Sequence, residues 1–292
     1  MTKICSQIEL FPSNLLFLCD FTPTKDRDIS SLVQAQYINS ELISVAYGPG
    51  RLVRSDSLSM AYLIKQKYGK NPVVTIPTRD MNKLAIQSHL LGADMLGLEN
   101  ILVVAGDDFN SRELKSVKQV RHFSTTGLIA SIKEMNRGYD YRGSSIGRPT
   151  NFCIGATINF GQEKMDEVLL TCNKRLAGAD FFITEPVFAL DKIQDFMDLC
   201  DDAIKGSIRN CTFVGLQMLS TGGIVFGTIP ESLQNDLDKG RDPMDISMEL
   251  LEGLISIGLN RIYLLPSVLD GGHRDYEAAN ILMDFGNRLV SK

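Results

Sequence analysis

Eight short apolar runs, separated by stretches with helical periodicity, constrain the fold of this 292-residue sequence more than any other feature. Each run is four or five residues long and lacks polar alternation, which is typical of strands buried on both faces of a parallel sheet. The predicted strands are Leu15–Cys19, Leu42–Ala46, Val73–Ile76, Ile101–Val104, Phe152–Ala156, Phe181–Thr184, Thr212–Leu216 and Arg261–Leu265.

The intervals between these runs predict amphipathic helices, several of which end at a glycine that can close a helix in the left-handed conformation (Gly97, Gly178 and Gly258). The predicted helices are Asp80–Leu96, Glu163–Ala177, Asp191–Ala203, Pro243–Ile257 and Asp275–Leu289. Strands that alternate with helices in this way favour an α/β fold, a single (β/α)8 TIM barrel over residues 1–292.

A doubly wound sheet is the alternative, but it usually has a glycine fingerprint after its first strand, and none follows Cys19. The irregular stretch Gly138–Pro149 lies between a predicted helix and a predicted strand. We therefore expect a loop insertion there and no domain boundary.

Composition narrows the class of protein. The chain is 44% apolar and 22% charged, as in ordinary folded proteins, and its net charge of −5 disfavours broad nucleic-acid binding. Its longest N-terminal apolar run is too short for a signal segment or a membrane span. The six cysteines form no CxxC motif, so we expect free thiols, no metal site and a cytoplasmic location.

Acidic residues follow three of the predicted strands. In this barrel the chemistry lies where strands end, so Asp20, Asp107 and Glu185 are expected to face one mouth. Converging carboxylates raise one another's pKa, which suits a general acid. The alternative is that each carboxylate caps a helix or is solvated, and for Asp80 a capping role is the better expectation.

Two glycine pairs follow the last two strands and offer a possible phosphate cradle. Gly222-Gly223 comes after the seventh strand and Gly271-Gly272 after the eighth. Backbone amides in such turns can bind phosphate, although glycine pairs also form ordinary turns.

Ordered motifs along nearly the whole chain resemble the methylenetetrahydrofolate reductase family. The strongest stretch is Thr78–Asp107, with Arg-Asp-x-Asn, Gln-Ser-x-Leu-Leu-Gly-Ala and a closing Gly-Asp. Further similarity lies in Pro149–Ala156 with Asn159, in Ala177–Phe188, and in the segments Ile229–Glu231 and Tyr263–Pro266.

The resemblance implies a barrel that holds FAD and reduces 5,10-methylenetetrahydrofolate to 5-methyltetrahydrofolate, with NAD(P)H or a protein as electron donor. By position, Asp20 corresponds to the general acid and Asp107 to the aspartate beside flavin and pterin. Glu185 and Gln217 correspond to folate-binding positions. The positions that correspond to the cofactor site are Tyr47, Thr75, Gly106, Asn159 and Lys174.

The chain departs from the family pattern at several of these positions. Asp20 replaces a glutamate and Glu185 replaces a glutamine. Four positions near the flavin also differ; they are Ala46, Thr75, Ser124 and Asn173. Two alternatives therefore stay open: a flavin-free methyltransferase that works with a corrinoid partner protein, and a non-catalytic subunit of a reductase complex. A homo-oligomer is also compatible with the sequence.

Overall fold

The computed structural model describes residues 3–25, 32–161, 163–220, 223–227, 229–269 and 273–291, and its core is a closed barrel of parallel strands in the order β1 to β8. The strands are β1 Leu16–Phe21, β2 Leu42–Val45, β3 Asn71–Pro77, β4 Asn100–Val104, β5 Cys153–Ile158, β6 Phe181–Pro186, β7 Thr212–Gln217 and β8 Arg261–Leu265. All eight predicted strands and the (β/α)8 architecture are confirmed.

Helices surround the barrel and alternate with its strands. They are α1 Ile4–Leu10, α2 Gln34–Tyr37, α3 Ser57–Tyr68, α4 Lys83–Met95, α5 Thr125–Asn136, α6 Lys164–Ala177, α7 Leu190–Ile204, α8 Glu231–Asp238, α9 Pro243–Ser256 and α10 Tyr276–Val290. The five predicted helices are confirmed, and their ends differ from the prediction by at most three residues. Within the described ranges, no helix is both long and apolar enough to cross a bilayer.

The expected capping role of Asp80 is wrong. Helix α4 begins later, and the side chain of Asn82 caps it by accepting the N–H of Ala85. Asp80 instead accepts two hydrogen bonds from the guanidinium of Arg79, at 2.6 and 2.8 Å. An arginine directly before an aspartate offers a bidentate partner that outcompetes a distant helix end.

The N-terminal segment closes the base of the barrel, where the strands begin. Ile4 is fully buried and donates its N–H to Asn100, the first residue of β4. Arg261, the first residue of β8, is also buried and donates to the carbonyls of Phe11 and Pro12 in the turn after α1. This base therefore contains a guanidinium held by backbone oxygens.

A disulfide joins the same segment to the barrel, which corrects the expectation that every cysteine is free. Cys5 of α1 is bonded to Cys153, the first residue of β5. The two are 148 residues apart, so no local motif marks them. The cysteines that stay free are Cys19, Cys172, Cys200 and Cys211. The irregular stretch 138–149 connects α5 to β5 on this side of the barrel and contains no helix or strand.

Candidate functional site

A cavity of about 480 Å3 opens at the carboxyl ends of β5 and β6. Its walls include the predicted site residues Asn159 and Glu185, and the aromatic rings of Phe160 and Phe188. Lys164 and Lys192 also line the cavity, and both are exposed. The cavity thus combines two carboxylates (Glu167 and Glu185), aromatic faces and cationic side chains, a mixture that suits a flat polar ligand with an anionic end.

The position of Glu185 depends on a bulge in β6. The register of β6 on β7 shifts between Ile183 and Pro186, and the backbone of Glu185 lies against Gly215. A Cβ at position 215 would lie 2.6 Å from the carbonyl oxygen of Glu185. The N–H of Gly215 donates to the hydroxyl of Thr184 at 2.8 Å, which holds the bulge in place. Sequence reasoning missed Gly215, and a glycine in a predicted strand is the signal that could have indicated it.

Burial raises the pKa of Glu185, and the charge of Glu167 adds to the increase. One oxygen of Glu185 accepts a hydrogen bond from the N–H of Phe160 at 3.1 Å, and this bond opposes the rise in pKa. The charged group that raises the pKa of Glu185 is therefore Glu167, and not Asp20 or Asp107, which were predicted to lie beside it. A half-buried carboxylate with a raised pKa at the wall of a cavity is a candidate for a functional group.

Lys174, predicted to bind cofactor, lies in a buried ion pair. Its Nζ is 3.2 Å from Glu167 and donates to the carbonyl of Thr157 at 2.6 Å. The two side chains are 4% and 2% exposed, and burial lowers the pKa of Lys174. Glu167 is one of the lining residues of the cavity, and the amine of Lys174 is already held by protein oxygens.

Asp20, predicted to be the general acid, lies in the barrel interior with both oxygens engaged. One oxygen accepts the hydroxyl of Tyr263 at 2.8 Å, and the other accepts the guanidinium of Arg274 at 2.7 Å. The side chains of Asp20 and Arg274 are 5% and 8% exposed. A carboxylate in this setting is an acceptor of charge-assisted hydrogen bonds. Sequence reasoning missed Arg274, although an arginine in the loop after β8 is a recognisable candidate.

Gln217 organises the loop after β7. Its side-chain amide donates to the carbonyl of Ile224 and accepts the N–H of Phe226, both at 2.8 Å. The ring of Phe226 packs under the guanidinium of Arg274, 5.2 Å away. Gln217 therefore connects the loop that leads to the cavity with the buried Asp20–Arg274 pair. The glycines 222, 271 and 272, expected as part of a phosphate cradle, lie outside the described residues.

Asp107 is exposed beyond the end of β4. Its backbone carbonyl accepts a hydrogen bond of 2.7 Å from the guanidinium of Arg79. Gly106 has a φ of +77°, and a Cβ there would lie 3.1 Å from Arg79.

Tyr47 lies near Asp80, and burial together with that charge raises the pKa of Tyr47 to about 12. Thr75 is buried in β3. Of the three carboxylates expected at one mouth, Glu185 is the one that lines the cavity described above.

A second cavity, of about 490 Å3, opens between the ends of β2, β3 and β4. Tyr47, Arg54 and Phe109 are among its lining residues. The guanidinium of Arg79 lies over the ring of Phe109, 4.1 Å from its centre. Among the described residues, the carboxyl ends of the strands therefore line two cavities of similar volume, one at β5 and β6 and the other at β2, β3 and β4.

Comparisons with known proteins identify the family. The sequence profile described as methylenetetrahydrofolate reductase matches residues 17–216. Among curated proteins, none matches the sequence. A solved structure from Clostridium thermocellum, titled as an uncharacterized protein that binds two copies of 5-methyl-5,6,7,8-tetrahydrofolic acid, has a TM-score of 0.64 and 14% identity, with 97% of each chain covered. At that identity the likeness shows the fold. Because the family profile covers more than half of the chain, this protein belongs to the methylenetetrahydrofolate reductase family.

Proposed function

We propose that this protein binds a reduced folate in the cavity between β5 and β6, with Glu185 as the anchor for the pterin. The ring N–H and amino groups of a pterin are hydrogen-bond donors, and an ionised carboxylate is an acceptor. Phe160 and Phe188 offer aromatic faces to the ring system. Lys164 and Lys192 offer cations to the glutamyl carboxylates of the ligand. The observation that carries this proposal is the half-buried Glu185 in the cavity wall.

Family membership and the solved neighbour support the class of ligand. The neighbour is described as a protein that binds 5-methyltetrahydrofolate, and the structural match covers 97% of this chain. The folate cavity also lies at the carboxyl ends of the strands, where enzymes with this barrel hold their substrates.

Reduction of methylenetetrahydrofolate through FAD is the reaction that the family name suggests, and three observations favour a use of the folate without that cofactor. The amine of Lys174 is committed to Glu167 and Thr157 inside the wall. Ser124 caps α5 by accepting the N–H of Gly127. Asp20, at the general-acid position, already accepts Tyr263 and Arg274. We therefore propose that the folate is used without a resident flavin.

Purified protein is expected to lack visible flavin absorbance, to stay colourless after incubation with FAD, and to bind 5-methyltetrahydrofolate saturably in calorimetry. Failure to bind this folate contradicts the proposed function. A flavin spectrum, together with reduction of methylenetetrahydrofolate, supports the FAD-dependent reductase instead and contradicts the flavin-free proposal.

Replacing Glu185 with alanine is expected to weaken binding of 5-methyltetrahydrofolate about 10- to 100-fold. A hydrogen bond to a charged group contributes about 1.5–3 kcal/mol, and the ligand's donors lose their partner. Glu185→Gln is the matched control because it keeps the shape and one acceptor, so it should bind more tightly than Glu185→Ala. Equal affinity of the wild type and Glu185→Ala, measured by calorimetry, would place the ligand elsewhere.

The affinity should also depend on pH through the raised pKa of Glu185. The ligand's donors need the ionised carboxylate, and a raised pKa means that Glu185 takes up its proton at a higher pH than a solvated glutamate does. Affinity is therefore retained above the raised pKa and falls as the pH is lowered through it. Because the folate itself also titrates, the measured quantity is the affinity ratio of the wild type to Glu185→Gln. A ratio that does not change with pH contradicts this assignment.

Methyl transfer is the second candidate reaction, favoured by the poor fit to a hydride-donating cofactor. The methyl group would leave N5 of 5-methyltetrahydrofolate for the cobalt(I) of a corrinoid partner protein, giving methylcobalt(III), while N5 takes up a proton. Asp107, an exposed carboxylate near the end of β4, is the candidate to supply that proton. Loss of methyl transfer to cob(I)alamin in Asp107→Asn tests this role, and unchanged transfer contradicts it.

A further inference from the structure

The base of the barrel, at the end opposite the folate cavity, brings three possible metal ligands together. The sulfurs of Cys5 and Cys153 and one carboxylate oxygen of Asp180 all lie within 4.8 Å of one another. Cys5 belongs to α1, Cys153 begins β5, and Asp180 directly precedes β6. Neither the proposed folate cavity nor the proposed methyl transfer uses any of these side chains.

The two sulfurs are joined as a disulfide, so they can bind a metal only after reduction. A dithiol gives the disulfide two electrons and two protons and itself becomes a disulfide. A phosphine does the same with one water molecule, whose oxygen it keeps as the phosphine oxide. Cys153 is buried, but Cys5 is half-buried, which gives a reductant access to the pair.

The surroundings of the pair suit thiolates that hold a divalent cation. The N–H of Cys5 donates to the sulfur of Cys153 at 3.2 Å, and such a bond stabilises negative charge on that sulfur. Two thiolates and the carboxylate of Asp180 bring three negative charges. A divalent ion together with the ammonium of Lys133, which is 2.9 Å from Asp180, brings three positive charges. Metal binding therefore releases the two thiol protons and leaves a neutral cluster.

Hydrogen bonds orient the carboxylate of Asp180 and leave it room for a metal. One oxygen accepts the N–H of Ile154 at 2.8 Å, and the other accepts the ammonium of Lys133 at 2.9 Å. An ionised carboxylate has about four acceptor sites, so about two remain for a metal ion. Outer partners of this kind fix the direction of a ligand and raise its affinity for metal.

Two thiolates and one carboxylate form a ligand set that suits zinc. A zinc ion binds sulfur at about 2.3 Å and carboxylate oxygen at about 2.0–2.2 Å in tetrahedral geometry, which places the ligand atoms about 3.6–3.8 Å apart. The three donors already lie within a similar space. Magnesium and calcium prefer oxygen ligands alone. Three protein ligands leave the fourth position to water, which the half-buried Cys5 and Asp180 admit.

We propose that the reduced protein binds one zinc ion through Cys5, Cys153 and Asp180, and that the disulfide takes the place of this site in the oxidised protein. Both states join α1 to the start of β5, and the zinc ion also joins them to the start of β6. The carboxyl ends of these two strands line the folate cavity, so the site fixes their opposite ends.

Cobalt(II) titration of the metal-free protein, reduced with tris(2-carboxyethyl)phosphine, tests this inference. The wild type should bind one equivalent, with the visible absorbance of tetrahedral cobalt and a thiolate charge-transfer band that zinc then removes. Cys5→Ser should lose most of that band. Asp180→Asn, which keeps an acceptor for the N–H of Ile154, should bind at least about tenfold more weakly. Cys172→Ser, at a half-buried cysteine on α6 outside the cluster, is the control and should bind as the wild type does.

Thermal unfolding gives a second readout that needs no folate, so its outcome is separate from that of the proposed function. Zinc should raise the unfolding temperature of the reduced wild type and leave that of the oxidised protein unchanged, since a ligand stabilises the state that binds it. Equal cobalt binding by the wild type and Cys5→Ser, or by the reduced and oxidised proteins, overturns the inference. A reduced protein that binds neither metal also overturns it, because the two cysteines then serve as a disulfide alone.

Discussion

Replacing Arg274 with methionine is expected to lower the free energy of unfolding by about 3–5 kcal/mol. The substitution leaves the carboxylate of Asp20 buried in the barrel, and the hydroxyl of Tyr263 is then its one side-chain partner among the described residues. An uncompensated buried charge costs far more than the loss of an exposed pair. Urea denaturation of the two proteins measures the difference.

The control for this prediction is the double variant Asp20→Asn with Arg274→Met. It removes the charge together with its partner, so most of the lost stability should return. A loss below about 1 kcal/mol in Arg274→Met alone is the magnitude of a solvent-exposed pair, and it would contradict the buried geometry. The same result would reopen Asp20 as a general acid, because its carboxylate would then be accessible to a substrate.

Replacing Lys174 with methionine is expected to have a similar cost, about 3–5 kcal/mol, because Glu167 is left charged in the wall. Adding Glu167→Gln to the same chain should restore most of the stability. Thermal or urea unfolding measures both effects. The prediction distinguishes two roles of Lys174, since a lysine that binds a cofactor phosphate at a surface contributes little to the stability of the free protein.

If Lys174→Met keeps its stability and instead loses affinity for FAD, the buried ion pair is not the main role of Lys174. That result would support the FAD-dependent reaction that the family resemblance implies. If stability falls and FAD binds neither protein, the flavin-free proposal gains its strongest support. The variant is therefore informative about the cofactor even when no reaction is measured.

The barrel could be predicted from the sequence because its strands carry their signal locally. Each apolar run, such as Arg261–Leu265, is a strand in the structure, and helix ends at glycines such as Gly178 follow from local chemistry. The same local reasoning indicated Glu185 as a residue at the end of a strand. What it could not indicate is which partner a charged side chain takes.

Those partners depend on contacts between residues far apart in the chain. Asp20 and Arg274 are 254 residues apart, and Cys5 and Cys153 are 148 apart. Sequence position places Asp20, Asp107 and Glu185 at equivalent strand ends, but it does not show that Asp20 is buried and paired with Arg274. Asp80 is a local example, since its side chain pairs with the adjacent Arg79 and does not cap helix α4.

The position of Glu185, the proposed folate anchor, depends on the absence of a side chain at Gly215. The backbone of Glu185 occupies the volume that a Cβ at position 215 would need, so every other residue type must displace β6 or itself. The ligand specificity proposed for Glu185 is therefore encoded partly by a residue with no side chain on the neighbouring strand. Engineering of this site has to treat positions 185 and 215 as one unit, because a new anchor side chain inherits its direction from that gap.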